Sequence, residues 1–361
     1  MAFEVMLMAS YVLLTLGGRP DQVRSGMTYV VISLLASALF LVALAFVYAA
    51  TGTLSLADLS TKVAELPAGV RSGLALLLIV VFGIKSAIFP LFFWLPDSYP
   101  TAPSPVTAVF AGLLTKVGVY ALIRTQTLLF PADTQPGALL LAVASLTMVV
   151  GVLGAISQHD VKRILSFHIV SQIGYMVMGL GLFTVAGLAG AVLYIVHHIV
   201  VKTSLFLVAG LIEARSGTAE LDRLSGLARV EPLLAALFLL PALSLAGIPP
   251  FSGFVAKLAL LDAGVGAEAW AVVAASLAVS LLTLYSMTKI WANAFWGPPR
   301  EPESSVVAVG ADRRLMAGAT AGLVALSLGI AVASGPLYDL AERAATDLVD
   351  RRPYIEAVLE P

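Results

Sequence analysis

The chain has 361 residues, of which 59% are hydrophobic and 12% charged, with a mean hydropathy of +0.96 and a net charge of −1. Soluble domains carry about 25% charged residues, so this composition excludes an ordinary soluble domain and indicates lipid-facing helices. The charge balance excludes an extended nucleic-acid-binding surface. The absence of cysteine excludes disulfides, thiolate metal sites, iron–sulfur clusters and cysteine nucleophiles.

Ten apolar segments predict an all-α polytopic membrane protein, because about 20 apolar residues are needed for a helix to cross a bilayer. In chain order they are 1–16, 26–50, 74–95, 105–124, 138–157, 164–183, 187–212, 233–261, 268–296 and 313–334. They do not alternate apolar and polar residues as a transmembrane barrel would. The stretches between them hold nearly all the Pro, Asp and Arg, so one membrane domain is predicted over 1–361. No cleavable signal peptide is predicted.

The first segment is short. Sixteen helical residues reach about 24 Å, less than the hydrocarbon core of roughly 30 Å. Glu4 then lies almost at the free end of this helix. One interpretation is a carboxylate at the membrane interface, and the other is a helix whose upstream half is absent from this chain.

The distribution of Lys and Arg in short loops predicts the orientation, since cytoplasmic loops carry an excess of both. If loop 17–25 is cytoplasmic, the same side holds loops 96–104, 158–163, 213–232 and 297–312. Their basic residues are Arg19, Arg24, Lys162, Arg163, Arg215, Arg223, Arg229 and Arg300, with Arg313 and Arg314 at the next boundary. The opposite side holds Lys62, Arg71 and the tail residues Arg343, Arg351 and Arg352. The sequence therefore predicts loop 17–25 inside and the C-terminus outside.

Ionisable residues inside the predicted spans are functional hypotheses by default, because they are costly in lipid. They are Glu4, Lys85, Lys116, His168, His197, His198, Lys202, Lys257 and Lys289. Lys85, Lys116 and Lys257 stand well inside their segments, which favours a functional role over a structural ion pair. Lys289 lies near the end of its span beside Trp291 and Trp296, and snorkelling to the interface explains it at least as well.

Lysine suits a proton relay, because removal from water makes its charged form less stable and eases proton release. Histidine titrates near pH 6.5 and is a fitting intermediate carrier. His198 and Lys202 are four residues apart, and so lie on one helix face. His168, with Gln172 and Tyr175, forms a similar stripe. The alternative is that these histidines only bond to neighbouring carbonyls.

A metal site is not predicted. His197 and His198 point to different faces of the helix, and no carboxylate follows at ligand spacing. No cofactor is predicted either.

Two prolines or proline pairs interrupt predicted spans. Pro90 lies in "FGIKSAIFPLFFWLP", and Pro249 and Pro250 lie in "LAGIPPFSGFVAKLALL". Proline inside a helix frees a carbonyl, which a water-lined cavity can satisfy but lipid cannot. Lys85 precedes one break and Lys257 follows the other, a pattern typical of transporters with broken helices in repeated bundles. A plain proline kink is the alternative.

The stretch "GIKSAIFPLFFWLPDSYPTAPSPVTAVFAGLLTKVGVYALIR" resembles the signature of the proton-translocating membrane subunits shared by complex I and Mrp-type Na+/H+ antiporters. "HDVKRILSFHIVSQIGYMVMGLGLFT", "HHIVVKTSLFLVAG" and "LAGIPPFSGFVAKLALL" extend the resemblance over essentially all of 1–296. Within this family, the amino-acid sequence of these stretches is most similar to the D subunits of the Mrp branch.

The resemblance implies a fold of fourteen helices with two inverted five-helix repeats, of which this chain matches the part from within the fifth helix onward. The expected organisation is an incomplete first repeat over 1–124, a second repeat over 138–296, a final helix over 313–334 and a tail over 335–361. The four leading helices and half of the fifth are then expected to be missing, either because the chain is a fragment or because its start is mis-assigned.

The resemblance also implies roles for single residues. Glu4 matches the glutamate that pairs with the lysine of the first broken helix, here Lys85. Lys116 matches the central lysine of the next helix, and Lys257 the ionisable residue of the second broken helix. The polar positions that connect the halves are matched by His168, His198 and Lys202.

The implied function is that of a proton-translocating subunit in a multi-subunit antiporter of the cell membrane, which exchanges cytoplasmic Na+ for external H+. Protons would pass along Lys85, Lys116, His198, Lys202 and Lys257, with Glu4 modulating Lys85 and His168 as a further candidate. Other antiporter subunits are the expected partners and are expected to supply most of the sodium site. The alternatives are the same module in a quinone-reducing or hydrogen-evolving redox complex, and a non-conducting scaffold.

Overall fold

All regular secondary-structure elements are helical in the part that the structure, a computed structural model, describes: residues 2–300 and 310–359. Two 3-10 turns, Tyr99–Thr101 and Leu221–Arg223, supplement the α-helices. The α-helices of these ranges are α1 Ala2–Thr15, α2 Pro20–Thr51, α3 Leu56–Glu65, α4 Ala68–Ser86, α5 Trp94–Ser98, α6 Ser104–Leu128, α7 Gly137–Ser157, α8 Val161–Gly181, α9 Val185–Ser216, α10 Leu227–Val230, α11 Pro232–Ala246, α12 Ser252–Gly266, α13 Trp270–Ala294, α14 Gly310–Val332, α15 Ser334–Val349 and α16 Arg352–Leu359.

Eight described helices are long and apolar enough to cross a membrane, and each matches one predicted segment. The other two predicted segments differ. Segment 1–16 contains the short apolar stretch Glu4–Thr15, and segment 233–261 is divided into α11 and α12. The predicted all-α fold with two broken helices is confirmed. Much of the predicted loop 297–312 lies outside the described residues.

Helix α8 is the centre of the bundle although it carries several polar side chains. In the most apolar 18-residue stretch of α8, 94% of the residues are buried. The corresponding share for α2 is 17%, so α2 lies at the periphery. Small residues bring α8 close to α7, since a side chain at Gly151 would meet the Ser171 backbone and one at Gly174 would meet the Ala144 carbonyl. Such close backbone approach is how membrane helices gain packing energy without a hydrophobic driving force between them.

The two breaks share one backbone pattern. After α4, Ala87 has a left-handed φ of 60° and is followed by Ile88 and the cis Phe89–Pro90 peptide. After α11, Gly247 has a φ of 88° and is followed by Ile248 and the cis Pro249–Pro250 peptide. In both, the isoleucine N–H returns to a carbonyl in the last turn of the preceding helix, which closes that helix within the membrane. The two breaks share this backbone pattern although the lysine and the proline occur in opposite order in the two stretches.

The stretch 335–361, predicted only as a tail, forms most of α15 and α16 in its described part. Ala341 and Ala345 are buried, and α15 packs along α9 and α6, while α16 packs against α3. Both helices are amphipathic and too short and charged to count as spans, which is why a search for apolar segments misses them.

Candidate functional site

The first cluster of the site joins α1, α2 and α4. Lys85 is 6% exposed and donates to Glu4 Oε1 at 2.7 Å and to Ser37 Oγ at 3.2 Å. Ser37 donates in turn to Glu4 Oε2 at 2.5 Å. The pairing that the resemblance implied for Glu4 and Lys85 is therefore present as a hydrogen-bonded ion pair.

The first break fixes Lys85 one residue before the end of α4. Trp94 Nε1 donates to the Ile84 carbonyl at 2.9 Å, and the Phe89 amide donates to Thr147 Oγ1 at 3.0 Å. The first bond ties the start of α5 to the last turn of α4, where the Ile84 carbonyl also accepts from the Ala87 amide, and the second satisfies an amide that lies in the break. Gly118 of α6 lets the end of α4 approach, because a Cβ there would lie 2.9 Å from the Ser86 amide nitrogen.

Lys116 and Lys202 are buried at the centre of α6 and α9, and each contacts a carbonyl oxygen. Lys116 Nζ donates to the Ala111 carbonyl of its own helix. Lys202 Nζ donates to the Leu165 carbonyl of α8 at 3.0 Å. A lysine held only by neutral carbonyls can give up its proton without leaving a carboxylate unpaired, which suits a transfer step.

His198 lies one helical turn before Lys202 on α9, and both of its ring nitrogens are buried without a hydrogen-bond partner in the described structure. A buried polar atom without a partner costs about 1–3 kcal/mol, so each one calls for a functional or solvent explanation. Two such nitrogens on one imidazole are free to accept and donate a proton.

Aromatic rings connect His198 with the second broken helix. The Tyr194 ring lies 6.3 Å from the His198 ring and stacks on the Tyr175 ring at 5.3 Å, in both cases between centroids. Lys257 Nζ lies 5.0 Å from the centroid of the Tyr175 ring. Tyr194 donates a short hydrogen bond to Gln172 Oε1.

Lys257 occupies the second break. Its Nζ donates to the carbonyls of Leu245 and Ala246, both at 3.0 Å, at the C-terminal end of α11. A cation is favourable there, because the helix leaves those carbonyls unpaired and carries partial negative charge.

The remaining histidines have different surroundings. His197 Nδ1 contacts Ser252 Oγ at 2.8 Å, and Ser252 also contacts Ser244 and Ser327. His168 Nε2 contacts Ser286 Oγ at 2.9 Å. One nitrogen of each ring, His197 Nε2 and His168 Nδ1, has no partner in the described structure.

Lys289 has a structural role. Its Nζ donates to the carbonyls of Ile156 at 2.9 Å and Gln158 at 2.7 Å, where α7 ends. It therefore binds carbonyls that the C-terminal end of α7 leaves without helical partners, which is a structural contact.

The sequence missed one buried charge. Lys162 was assigned to a loop, but it lies in the first turn of α8, is 5% exposed and forms an ion pair with Glu213 of α9. Ser104 Oγ, at the start of α6, lies 3.4 Å from Glu213 Oε2. Next to the pair, Asp160 accepts from the Arg163 amide at 2.8 Å and caps α8, and burial raises the pKa of its carboxyl. Lys162 and Glu213 lie in loops that the sequence predicts on the same side of the membrane, and their opposite charges are a signal for pairing. This signal does not specify which charge pairs with which.

We call Lys85, Lys116, His198, Lys202 and Lys257 the central row. Lys85, Lys116 and Lys257 lie on α4, α6 and α12, and the other two lie on α9; α4 contacts α6, α6 contacts α9, and α9 contacts α12. The described residues contain no group of three or more His, Asp or Glu that could hold a metal ion.

Replacing Gly253 with alanine should destabilise the second break. A Cβ at this position would lie 1.8 Å from the Ser244 carbonyl oxygen, so α11 and α12 would have to separate. Overpacking costs about 1–3 kcal/mol and sometimes more, which should lower the thermal unfolding midpoint in detergent. Gly266→Ala in the same helix is the control, because nothing lies within 4 Å of its Cβ position. Equal midpoints for the two variants would contradict the tight contact.

The sequence and the fold have close parallels among known proteins. The family described as NADH:quinone oxidoreductase/Mrp antiporter, transmembrane, matches residues 1–283. The D subunit of the Na(+)/H(+) antiporter of Alkalihalophilus pseudofirmus is 49% identical over 363 aligned positions, which cover 99% of this chain and 72% of that protein.

Two solved structures are similar as well. A chain in the structure of the Mrp complex from Dietzia sp. has a TM-score of 0.91 and 36% identity, over 99% of this chain and 74% of that one. A chain of a membrane-bound sulfane sulfur reductase, an archaeal respiratory membrane complex, has a TM-score of 0.87 and 26% identity, over 98% of this chain and 72% of that one. The resemblance to Mrp D subunits seen in the sequence is confirmed.

Proposed function

Because the chain belongs to the NADH:quinone oxidoreductase/Mrp antiporter transmembrane family, we propose that it is the D-type, proton-carrying subunit of a multi-subunit Na+/H+ antiporter. The observation that supports this most directly is the central row, with a histidine at its middle whose two ring nitrogens have no hydrogen-bond partner among the described residues.

Proton transfer along the row uses groups that differ in how their positive charge is held. Lys85 is held by the Glu4 carboxylate, whereas Lys116, Lys202 and Lys257 are held by neutral carbonyls. His198 takes a proton from one neighbouring lysine at one ring nitrogen and gives one to the next from the other. Glu4 sets how firmly Lys85 keeps its proton, and His168 is a side branch beside Lys202 and Lys257.

The row reaches the surface through Lys162 and Glu213. Lys202 contacts the Leu165 carbonyl, and Lys162 lies about one helical turn before Leu165 on α8. Glu213, the partner of Lys162, is partly exposed. With loop 17–25 in the cytoplasm of a plasma-membrane protein, this pair lies at the cytoplasmic end and the C-terminus lies outside.

Sodium is bound largely by partner subunits in this proposal. Hard cations prefer several oxygen ligands, whereas the central row presents ammonium and imidazole groups. Other subunits of the antiporter are therefore required for exchange.

Partner identity distinguishes this function from the same module in a redox complex. Affinity purification of the chain from its native membrane should recover further antiporter subunits. Recovery of iron–sulfur or quinone-site subunits instead would assign it to a respiratory complex of the kind represented by the sulfane sulfur reductase.

Replacing Lys116 with methionine should lower Na+-driven proton exchange by roughly 100-fold, the lower range for loss of a general acid–base group. Methionine keeps the length of the side chain and removes its proton. The measurement is the initial rate of Na+-dependent ΔpH collapse in everted vesicles that contain the whole assembly.

Lys289→Met is the matched control, because Lys289 is also a lysine inside a span but caps α7. It should retain most of the exchange rate. A normal rate in Lys116→Met with the assembly intact would refute proton transfer through this lysine and favour the scaffold role.

A further inference from the structure

A groove that no part of the proposed proton path uses opens between α6 and α9 under α15. Its volume is about 490 Å³, within the roughly 300–1,000 Å³ of small-molecule sites. Its lower wall is apolar, and two of its residues, Tyr120 and Val196, are 63% and 40% exposed toward the surroundings of the bundle. The groove is therefore open on the side where a membrane helix faces lipid.

The depth of the groove matches half of a bilayer. Arg124 follows Lys116 by eight residues, which places it about 12 Å along α6 from the middle of the span. Half of the hydrocarbon core is about 15 Å, so Arg124 lies near the level of lipid headgroups. Tyr120 and Val196 lie deeper, level with an acyl chain that hangs from that position.

Two opposite charges line the upper end of the groove. Arg124 comes from α6 and Asp347 from the amphipathic helix α15 that roofs it. Neither forms an ion pair with another residue of the described structure. The Arg124 guanidinium is instead held over the Tyr354 ring, 4.3 Å from its centroid, which orients it without neutralising it.

We propose that this groove binds one glycerophospholipid with a primary-amine headgroup, of the phosphatidylethanolamine type. Arg124 binds the phosphate, as guanidinium groups do with high geometric specificity. Asp347 accepts hydrogen bonds from the ammonium group of the same headgroup. One acyl chain runs down the groove along Tyr120 and Val196. A purely anionic lipid would also bring its phosphate to Arg124, but its headgroup has no ammonium group to donate to Asp347.

Native mass spectrometry of the delipidated full chain, titrated with lipids of identical acyl chains, tests this site. The probes are phosphatidylethanolamine, phosphatidylcholine and phosphatidylglycerol. We expect one tightly retained phosphatidylethanolamine, preferred roughly tenfold over the other two, the size of one charge-assisted hydrogen bond. Asp347→Asn should remove the preference over phosphatidylcholine, and Arg124→Gln should remove retention of all three.

The controls separate the lipid from the fold. Asp339→Asn and Arg343→Gln change exposed residues of α15 that do not line the groove, and should leave retention unchanged. Tyr354→Leu removes the stacking partner but keeps the guanidinium, so it should weaken retention less than Arg124→Gln. Equal retention of the three lipids, a preference for phosphatidylglycerol, or an unchanged preference in Asp347→Asn would overturn the proposal.

Discussion

Replacing Lys257 with methionine should reduce Na+-driven proton exchange by roughly 100-fold or more, as expected when a proton carrier at one end of a relay is removed. Lys257 is 4% exposed and links the Tyr175 side of the row to the break after α11. No other lysine of the row contacts this break among the described residues. The measurement is the initial rate of Na+-dependent ΔpH collapse in everted vesicles.

Lys257→Arg distinguishes proton transfer from charge alone. Arginine keeps a positive charge near the Leu245 and Ala246 carbonyls, but its guanidinium does not lose its proton in proteins. A relay therefore fails in both variants. If Lys257→Arg retained the wild-type rate while Lys257→Met lost it, Lys257 would only cap α11, and the proton path would have to end before it.

The lysines of the site could be predicted from sequence because their cost is visible there. An ammonium group inside an apolar span needs a compensating environment, and a nearby proline suggests one. The contacts that provide this environment could not be predicted. Lys202 of α9 contacts a carbonyl of α8, and Lys257 of α12 contacts a carbonyl of α11. Because each carbonyl belongs to a different helix from its lysine, the periodicity along one helix contains no information about these contacts.

The breaks show the same limit. Their prolines were evident, but their equivalence lies in Ala87 and Gly247, which both adopt a left-handed conformation before an isoleucine. An alanine gives little sign of such a conformation, because it is usually right-handed or extended. The pattern of a small residue, an isoleucine and an X-Pro peptide was therefore recognisable only once the backbone was known.

The partner of Lys162 was hidden for a related reason. Sequence places Lys162 beside Arg163 and Asp160, in what reads as a polar loop. The start of α8 instead brings Lys162 under Glu213 at the far end of α9. Pairing between distant helix ends depends on which helices are neighbours, and only the folded bundle specifies that.

Lys85→Met should also lower exchange by roughly 100-fold, and Glu4→Gln by a smaller factor of roughly ten. Lys85 is almost fully buried, so losing its carboxylate leaves a lysine whose charge is held by Ser37 and its other surroundings. Because one third of the Glu4 side chain is exposed, solvent partly screens the pair, and the loss is smaller than for a fully buried one.

The double variant identifies how Glu4 acts. If Glu4 influences exchange only through Lys85, then Glu4→Gln has no further effect once Lys85 is methionine, and the two single effects are not additive. Ser37→Ala provides the matched control, because it removes the third member of the cluster and keeps the ion pair; it should change the rate less than Glu4→Gln. Rates in the double variant that equal the product of the two single effects would show that Glu4 works independently of Lys85, and the ion pair at 2.7 Å would then serve folding and not transport.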